Sequence, residues 1–142
     1  MRIRYEHKQG TPSDASSFST GGGVFLIFAK LLYRYIRIIY SADLPYQLDL
    51  DGVYLCHNGF GIVINPGAKI GRGTTIQHSV TIGEMDGSHK CPIIGENCFI
   101  GARAMVLGDI KLGGRVKVGA GAVVIKDVPD DCTVVGVPAR II

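Results

Sequence analysis

One histidine stands in a setting that suits proton transfer. His57 follows Cys56 and precedes Gly59 by two positions in the stretch LCHNGFGIV, residues 55–63. A neutral imidazole, whose ordinary pKa is about 6.5, can take a proton from a hydroxyl near neutral pH. The nearby glycine has no side chain and would let a second molecule approach the ring closely. His57 is therefore the first candidate for a general base.

Two of the other three histidines are further candidates for a site. His78 is the third residue of the segment IQHSVT, and we expect its side chain to point outward, either lining a cleft or lying at an exposed corner. His89 and its neighbour Lys90 lie in the polar segment GEMDGSHKCP, residues 83–92, which suits the wall of a binding site. His7 has no neighbours that suggest a role.

Composition narrows the class of protein. The net charge of +3 over 142 residues is small and scattered, so nucleic acid is not expected as a partner. The N-terminal residues contain no apolar core of a secretion signal. No CxxC pair or Cys/His zinc spacing occurs, so we expect no metal and reduced thiols in the cytoplasm. The four cysteines are Cys56, Cys91, Cys98 and Cys132.

A six-residue repeat must position these candidates. From Ile64 the chain divides into INPGAK, IGRGTT and IQHSVT, and six more units run from IGENCF to VIKDVP over residues 94–129. Each unit opens with an aliphatic residue, and its fifth residue is usually small or β-branched. A period of six fits neither a helix nor a simple strand. It is typical of a coil of short strands and tight corners, with three units per turn, the first and fifth residues inward, and glycine in second position where a turn needs it.

The repeat resembles that of the hexapeptide-repeat acyltransferases over residues 41–142. The resemblance implies a β fold, a left-handed parallel β-helix, although most crossovers are right-handed. It also implies a homotrimer with active sites in the clefts between neighbouring copies. The segments CHNGFGIVINPGAKIG and VVGVPARII are similar to those of serine acetyltransferases. The segments LPY, GIVINP, TIQHSVTIG and CPIIG resemble more closely the exopolysaccharide O-acetyltransferases of the colanic-acid type.

What the resemblance implies is an acetyl-CoA-dependent O-acetyltransferase that acts by direct transfer, without a metal. His57 falls on the position of the catalytic histidine. A carboxylate is expected to fix its tautomer, and Asp43 is favoured over Asp49 and Asp51, which suit exposed corners. His78, His89 and Lys90 are expected on the acceptor side.

The donor side is likewise carried over from the resemblance. Ala102, Ala120 and Gly83 fall where small residues would leave room for CoA along the coil. Lys126 and Arg140 are cations that would meet its phosphates. Small residues are frequent in this fold, so each of these positions could equally serve packing alone.

Two departures from the serine enzymes concern the acceptor. Cys56 replaces an Asp before the catalytic histidine, and Lys90-Cys91-Pro92 replaces Arg-His-Pro. Lysine is a poor substitute for the planar fork of arginine in binding a carboxylate. We therefore expect a hydroxyl of a sugar or exopolysaccharide precursor as acceptor. The alternatives are a serine O-acetyltransferase of cysteine biosynthesis and a non-catalytic β-helix scaffold.

The segment 24–40, VFLIFAKLLYRYIRIIY, predicts a short amphipathic helix after an N-terminal arm at residues 1–23. At helical spacing Lys30, Arg34 and Arg37 share one face. The segment is shorter than the roughly 20 residues that span a bilayer. The helix therefore packs on protein or lies on a membrane surface. The second arrangement would place the protein at the inner face of the membrane.

Overall fold

The computed structural model describes residues 22–45 and 48–142. Helix α1 spans Gly22–Tyr40, beginning two residues before the predicted segment. The predicted arm, apart from its last two residues, lies outside the described residues. Thirteen short strands follow in the described part of the chain. They are β1 (Tyr54–Leu55), β2 (Val63–Ile64), β3 (Lys69–Ile70), β4 (Thr75–Ile76), β5 (Thr81–Gly83), β6 (Ile93–Ile94), β7 (Phe99–Ile100), β8 (Met105–Leu107), β9 (Lys111–Leu112), β10 (Lys117–Val118), β11 (Val123–Val124), β12 (Thr133–Val135) and β13 (Arg140–Ile141).

The strands form the three faces of a coil. The first face stacks β1, β4, β7, β10 and β12 in parallel, and β13 adds to it antiparallel. The second face stacks β2, β5, β8 and β11, and the third stacks β3, β6 and β9. Consecutive strands thus pass from face to face, and three complete one turn. The fold is a left-handed parallel β-helix, as predicted.

The side chains that point inward are those that the repeat predicts. Ile70 is half-buried, and the other first-position residues from Ile64 to Val124 are buried, as are all the fifth-position residues. Full burial of an aliphatic side chain of this size contributes roughly 1.5–3 kcal/mol, so this ladder is the main stabilising element of the coil. Thr74 is the polar member, and its hydroxyl donates to the Gly95 carbonyl and accepts from the Cys98 amide. The buried fifth-position residues are Ala68, Thr74, Val80, Cys98, Ala104, Ile110, Val116, Ala122 and Val128.

Glycine in second position has a different reason from the one expected. A Cβ at Gly95 would lie 2.6 Å from the Gly113 carbonyl, and a Cβ at Gly101 would lie 2.6 Å from the Ala120 nitrogen. Neither glycine has a positive φ. The glycines are needed because successive coils approach closely at the corners. At the corners after the first and third faces, the fourth-position residues adopt the left-handed conformation instead: Gly73, Ser79, Asn97, Arg103, Arg115 and Gly121.

Candidate active site

The corner that carries His57 is longer than its neighbours. Leu55 pairs with Ile76 before the corner, and the Ser79 amide donates to the Phe60 carbonyl at 2.8 Å after it. Gly61 lies against Ser79, since a Cβ there would be 2.9 Å from the Ser79 hydroxyl. The chain thus takes six steps from Leu55 to Gly61 where the next coil takes three from Ile76 to Ser79. Residues 57–59 are a three-residue insertion.

Because of the insertion, the repeat unit that precedes Ile64 cannot be recognised by its six-residue spacing. Without residues 57–59 the flanking residues read LCFGIV, with Leu55 first and Ile62 fifth. Ile62 is fully buried and Leu55 packs against the same core. One sequence signal could have revealed the insertion. Leu55, nine positions before Ile64, and Ile62 are aliphatic residues of the kind that occupy the first and fifth positions of the other units.

The backbone of the insertion is unusual. His57 has φ 53° and ψ 41°, and Asn58 has φ 55° and ψ 24°, so two consecutive side-chain-bearing residues are left-handed. Such residues normally adopt this conformation singly, and each costs of order 1–3 kcal/mol. Strain of this kind is concentrated at functional sites. The insertion therefore marks the corner as a candidate site.

His57 contacts a second histidine on the next coil. The ring centroids of His57 and His78 lie 5.0 Å apart with an interplanar angle of 86°, an edge-to-face contact. His57 is exposed, whereas His78 is half-buried. The Nδ1 atom of His78 is buried and has no hydrogen-bond partner among the described residues. The two imidazoles thus form a pair at the surface of the coil.

The same corner continues through the small residues predicted for the donor side. The Arg103 amide donates to the His78 carbonyl at 3.1 Å, and the Gly121 amide donates to the Ala102 carbonyl at 2.8 Å. His78, Ala102 and Ala120 are the third residues of units on successive coils, about 4.8 Å apart per coil. We call residues 56–61, 77–79, 101–103 and 119–121 the histidine corner. It brings the candidate base into line with both predicted alanines.

Arg140 lies near the last coil of this corner, while Lys126 does not. Arg140 pairs with Val135, whose side chain lies against Gly119 of the histidine corner. Lys126 follows β11, so it lies at the corner after the second face. Both side chains are exposed.

The predicted orienting carboxylate is engaged elsewhere. Asp43 forms an ion pair with Arg37 at 3.0 Å. Asp49 accepts a hydrogen bond from the Asp51 amide, and Asp51 pairs with Arg72 at 3.4 Å. In residues 22–45 and 48–142, no hydrogen bond joins His57 to a carboxylate. The role of Asp43 stays a prediction.

The loop between β5 and β6 holds the predicted acceptor-side residues at another corner. His89 is almost fully exposed, and its amide donates to the Glu84 carboxylate at 2.8 Å. Lys90 pairs with Asp109 at 2.8 Å, and this hydrogen bond raises the pKa of the lysine. Because the loop follows the second face and His57 follows the first, a single chain does not bring them to one corner.

Two shallow grooves flank this loop. One, of about 270 Å³, is lined by residues that include Asp43, Gly83 and Glu84. The other, of about 340 Å³, is lined by residues that include Lys90 and Asp109.

Burial raises the pKa of the Cys91 thiol, which disfavours the nucleophilic thiolate. No cluster of three His, Cys, Asp or Glu side chains that could hold a metal ion occurs in the described part of the chain.

Comparisons with known proteins agree with this architecture. The family described as bacterial transferase hexapeptide (six repeats) matches residues 91–126. The serine acetyltransferase of Synechococcus elongatus is 43% identical over 119 residues, which are 82% of this chain and 48% of that protein. A solved structure of a serine acetyltransferase in complex with CoA superposes with a TM-score of 0.69 at 32% identity, covering 85% of this chain and 50% of that one.

A relative of more similar length fixes the family. The Escherichia coli K12 protein named "Putative colanic acid biosynthesis acetyltransferase WcaB" is 41% identical over 118 residues, covering 80% of this chain and 72% of the relative. By contrast, the chain spans about half the length of the serine acetyltransferases that it matches. The shared part is the repeat with the His57 corner. The chain belongs to the hexapeptide-repeat acetyltransferases of the serine acetyltransferase type.

Proposed function

We propose that this protein transfers an acetyl group from acetyl-CoA to a hydroxyl of a sugar or exopolysaccharide precursor. The observation that carries the proposal is the histidine corner, where an exposed imidazole on a strained insertion lies in line with Ala102 and Ala120. Small side chains along this line leave the backbone open to a long, thin ligand. A CoA complex of a structural relative supports the choice of donor.

His57 would act as the general base in a direct transfer. Its neutral imidazole takes the proton of the acceptor hydroxyl while the hydroxyl oxygen forms a bond to the thioester carbonyl carbon. The tetrahedral adduct then collapses, the carbon–sulfur bond breaks, and the imidazolium returns the proton to the CoA sulfur. The products are an acetyl ester and free CoA.

The surroundings of His57 favour a neutral acceptor over serine. Free serine carries an ammonium and a carboxylate, and both need charged partners when bound. Cys56 offers a thiol, which accepts a hydrogen bond from Gln77 at 3.2 Å, where the serine enzymes have an Asp. Lys90 is paired with Asp109. The similarity to WcaB, whose name refers to colanic acid, agrees with a sugar acceptor.

The site would be completed between copies of the chain in a homotrimer. His89 and Lys90 lie at the corner after the second face, and His57 lies at the corner after the first. A neighbouring copy that presents its loop to the histidine corner would unite both groups in one cleft. His89 and Lys90 would then line the acceptor side, Gly83 would leave room for CoA on the donor side, and Arg140 would meet CoA phosphates, while Lys126 would act from the neighbouring copy.

Two alternatives are tested by the same experiment. Relatives named serine acetyltransferase favour serine as acceptor. A scaffold without activity would explain the fold but not the strained insertion. The experiment measures free thiol released from acetyl-CoA with L-serine, with a set of free sugars and with water, using His57→Ala as the control.

We expect release that depends on His57 and does not respond to serine. Fast release that requires serine and disappears in His57→Ala would show a compact serine acetyltransferase instead. Release that is the same in wild type and His57→Ala, or none with any acceptor, would favour the scaffold. Size-exclusion chromatography with light scattering would test the trimer.

Helix α1 is a separate element of the proposal. Its exposed apolar residues include Ile27, Phe28 and Leu31, each at least 60% exposed, and Lys30 and Arg34 lie on an adjoining face. No helix in the described residues is long and apolar enough to cross a membrane. We propose that α1 rests on an anionic membrane surface, which would bring the enzyme to lipid-linked acceptors. Sedimentation with phosphatidylglycerol vesicles, but not with phosphatidylcholine vesicles, is expected; binding to neither means that α1 packs on protein.

A further inference from the structure

The geometry points to His78 as a positioning residue for His57: we infer that the ring of His78 holds the imidazole of His57 in the orientation that accepts the proton. The inference rests on the proposed function, in which His57 is the base. It assigns His78 to the base rather than to the acceptor, which was the expectation from the sequence.

The two histidines differ in how firmly the chain holds them. His57 lies on the inserted residues and is exposed, and its ring makes an edge-to-face contact with His78. His78 lies on a regular corner, is half-buried, and has its carbonyl bonded to the Arg103 amide. Contact with a half-buried ring restricts the rotamers of the exposed ring beside it.

A catalytic imidazole is usually held by a hydrogen bond to a carboxylate, and His57 lacks such a bond among the described residues. A carboxylate that accepts a hydrogen bond from the ring fixes its tautomer and its orientation. Within the described residues His57 has no such bond, and Asp43 is paired with Arg37. The edge-to-face contact with His78 is a side-chain contact that the structure does provide for the ring of His57.

The burial of one ring nitrogen of His78 favours the positioning role over acceptor binding through that atom. Its Nδ1 atom is inaccessible to solvent and lacks a hydrogen-bond partner. An atom that water does not reach cannot bind an acceptor hydroxyl without moving first. The face and edge of the ring, by contrast, already meet His57 at 5.0 Å.

Two substitutions of His78 separate the effect of its planar ring from the effect of its nitrogen atoms. His78→Leu removes the ring, and His78→Phe keeps a planar ring without nitrogens. If the ring positions His57, His78→Leu lowers kcat for thiol release from acetyl-CoA about tenfold and leaves KM for acetyl-CoA unchanged, whereas His78→Phe stays within about twofold of wild type. Circular dichroism and thermal unfolding confirm that both variants are folded.

Nuclear magnetic resonance of the imidazole C–H groups gives a readout that needs no acceptor. The His57 signal, assigned by its loss in His57→Ala, should shift in His78→Leu because the ring current of His78 is gone. It should stay in place in Arg115→Gln, a matched change at another corner.

Three results would overturn the inference: an unchanged His57 signal in His78→Leu, an unchanged kcat, or a His78→Phe variant as slow as His78→Leu. If His78→Phe is as slow as His78→Leu, the nitrogen atoms of His78, rather than its planar ring, support the reaction. A protein that releases no thiol in any condition defeats the proposed function and with it the catalytic part of the inference, and the resonance data then still decide whether the rings are in contact.

Discussion

Two corners of the same coil have the same backbone plan and opposite surfaces. We call residues 51–52, 71–73, 95–97, 113–115 and 129–131 the charged corner. Its side chains pair across coils: Arg72 with Asp51 at 3.4 Å, and Arg115 with Asp131 at 2.5 Å through its Nε. All four side chains are at least 60% exposed.

The histidine corner has no charged residue in third position, although Arg103 holds the fourth position that Arg115 holds on the charged corner. The third residues are Arg72, Glu96 and Gly114 on the charged corner, but His78, Ala102 and Ala120 on the histidine corner. Because the third residue points away from the core in both cases, it contributes little to folding. The contrast teaches that the coil fixes where a side chain lies, and that the third position sets the charge of a corner's surface. In the proposed function, the corner with uncharged third positions is the one that meets a ligand.

The two corners also differ in length. The charged corner keeps one length, since the chain takes five steps across it on successive coils: from Ile70 to Thr75, from Ile94 to Phe99, and from Leu112 to Lys117. The histidine corner contains three extra residues on its first coil. An insertion into a regular stack lifts His57 away from the coil without disturbing the buried positions on either side, because Leu55 and Ile62 keep their places in the core.

The largest effect should come from removing this insertion. Deletion of residues 57–59 leaves the unit LCFGIV, which has the pattern of the other units. We expect a folded protein whose rate of thiol release falls about 10²–10⁴-fold, the usual contribution of a general base. Activity assays and thermal unfolding on the same sample measure both. The single change His57→Ala should lose as much activity. A deletion variant that fails to fold would show that these residues are part of the coil.

The next largest effect should come from the second-position glycines, which both corners require. Gly95→Ala and Gly101→Ala each place a Cβ 2.6 Å from backbone atoms of the following coil. Backbone in a stack cannot move aside easily, so each change should lower the free energy of unfolding by about 1–3 kcal/mol. Thermal or denaturant unfolding measures the loss. Gly87→Ala in the loop, where no atom lies within 4 Å of the new Cβ, provides a comparison at an uncrowded site with a positive φ. Unequal losses at Gly95 and Gly101 would mean that the two corners are not built alike.

Most of the coil follows from the sequence because burial there is periodic. Outside the interrupted segment between Ile82 and Ile94, the inward residues from Ile64 to Val128 recur at the first and fifth positions of the units, so the period predicts which side chains form the core there. Counting units in threes puts Ala102 and Ala120 at one corner, and His78 joins them only when the interrupted unit that opens with Ile82 is also counted. The insertion at His57 was missed because residues 57–59 break the spacing that identifies a unit.

Side-chain partners outside the core could not be predicted in this way. Lys90 pairs with Asp109, nineteen residues away, because the path of the loop brings them together. Arg37 likewise meets Asp43 across the end of α1. Neither pairing has a period, so the engagement of Asp43 and Lys90 became visible only in three dimensions.

A bulky residue on the histidine corner should affect binding rather than folding. Ala120→Tyr fills the line beside Ala102, and we expect KM for acetyl-CoA to rise at least about tenfold, equivalent to about 1.4 kcal/mol. The matched control is Glu96→Tyr, which changes the same third position on the charged corner, where the residue is also exposed. Steady-state kinetics at varied acetyl-CoA concentration measure the effect. Equal values of KM in the two variants would contradict the assignment of the donor groove.

The smallest effect is expected from the ion pairs of the charged corner. The hydrogen bond from Arg115 lowers the pKa of Asp131 below its usual 3.8. A carboxyl with a lowered folded-state pKa stabilises the protein above pH 3.8 and loses that stabilisation as the pH falls through the folded-state value. Arg115→Gln should therefore reduce Tm at pH 7 by less than Gly95→Ala does, and the difference from wild type should close on acidification. Because the pair is exposed, 1 M salt should also reduce the difference. A difference that persists at pH 3 or in high salt would mean that Arg115 acts through packing of its alkyl chain, and the contrast between a solvent-facing and a ligand-facing corner would then rest on the third positions alone.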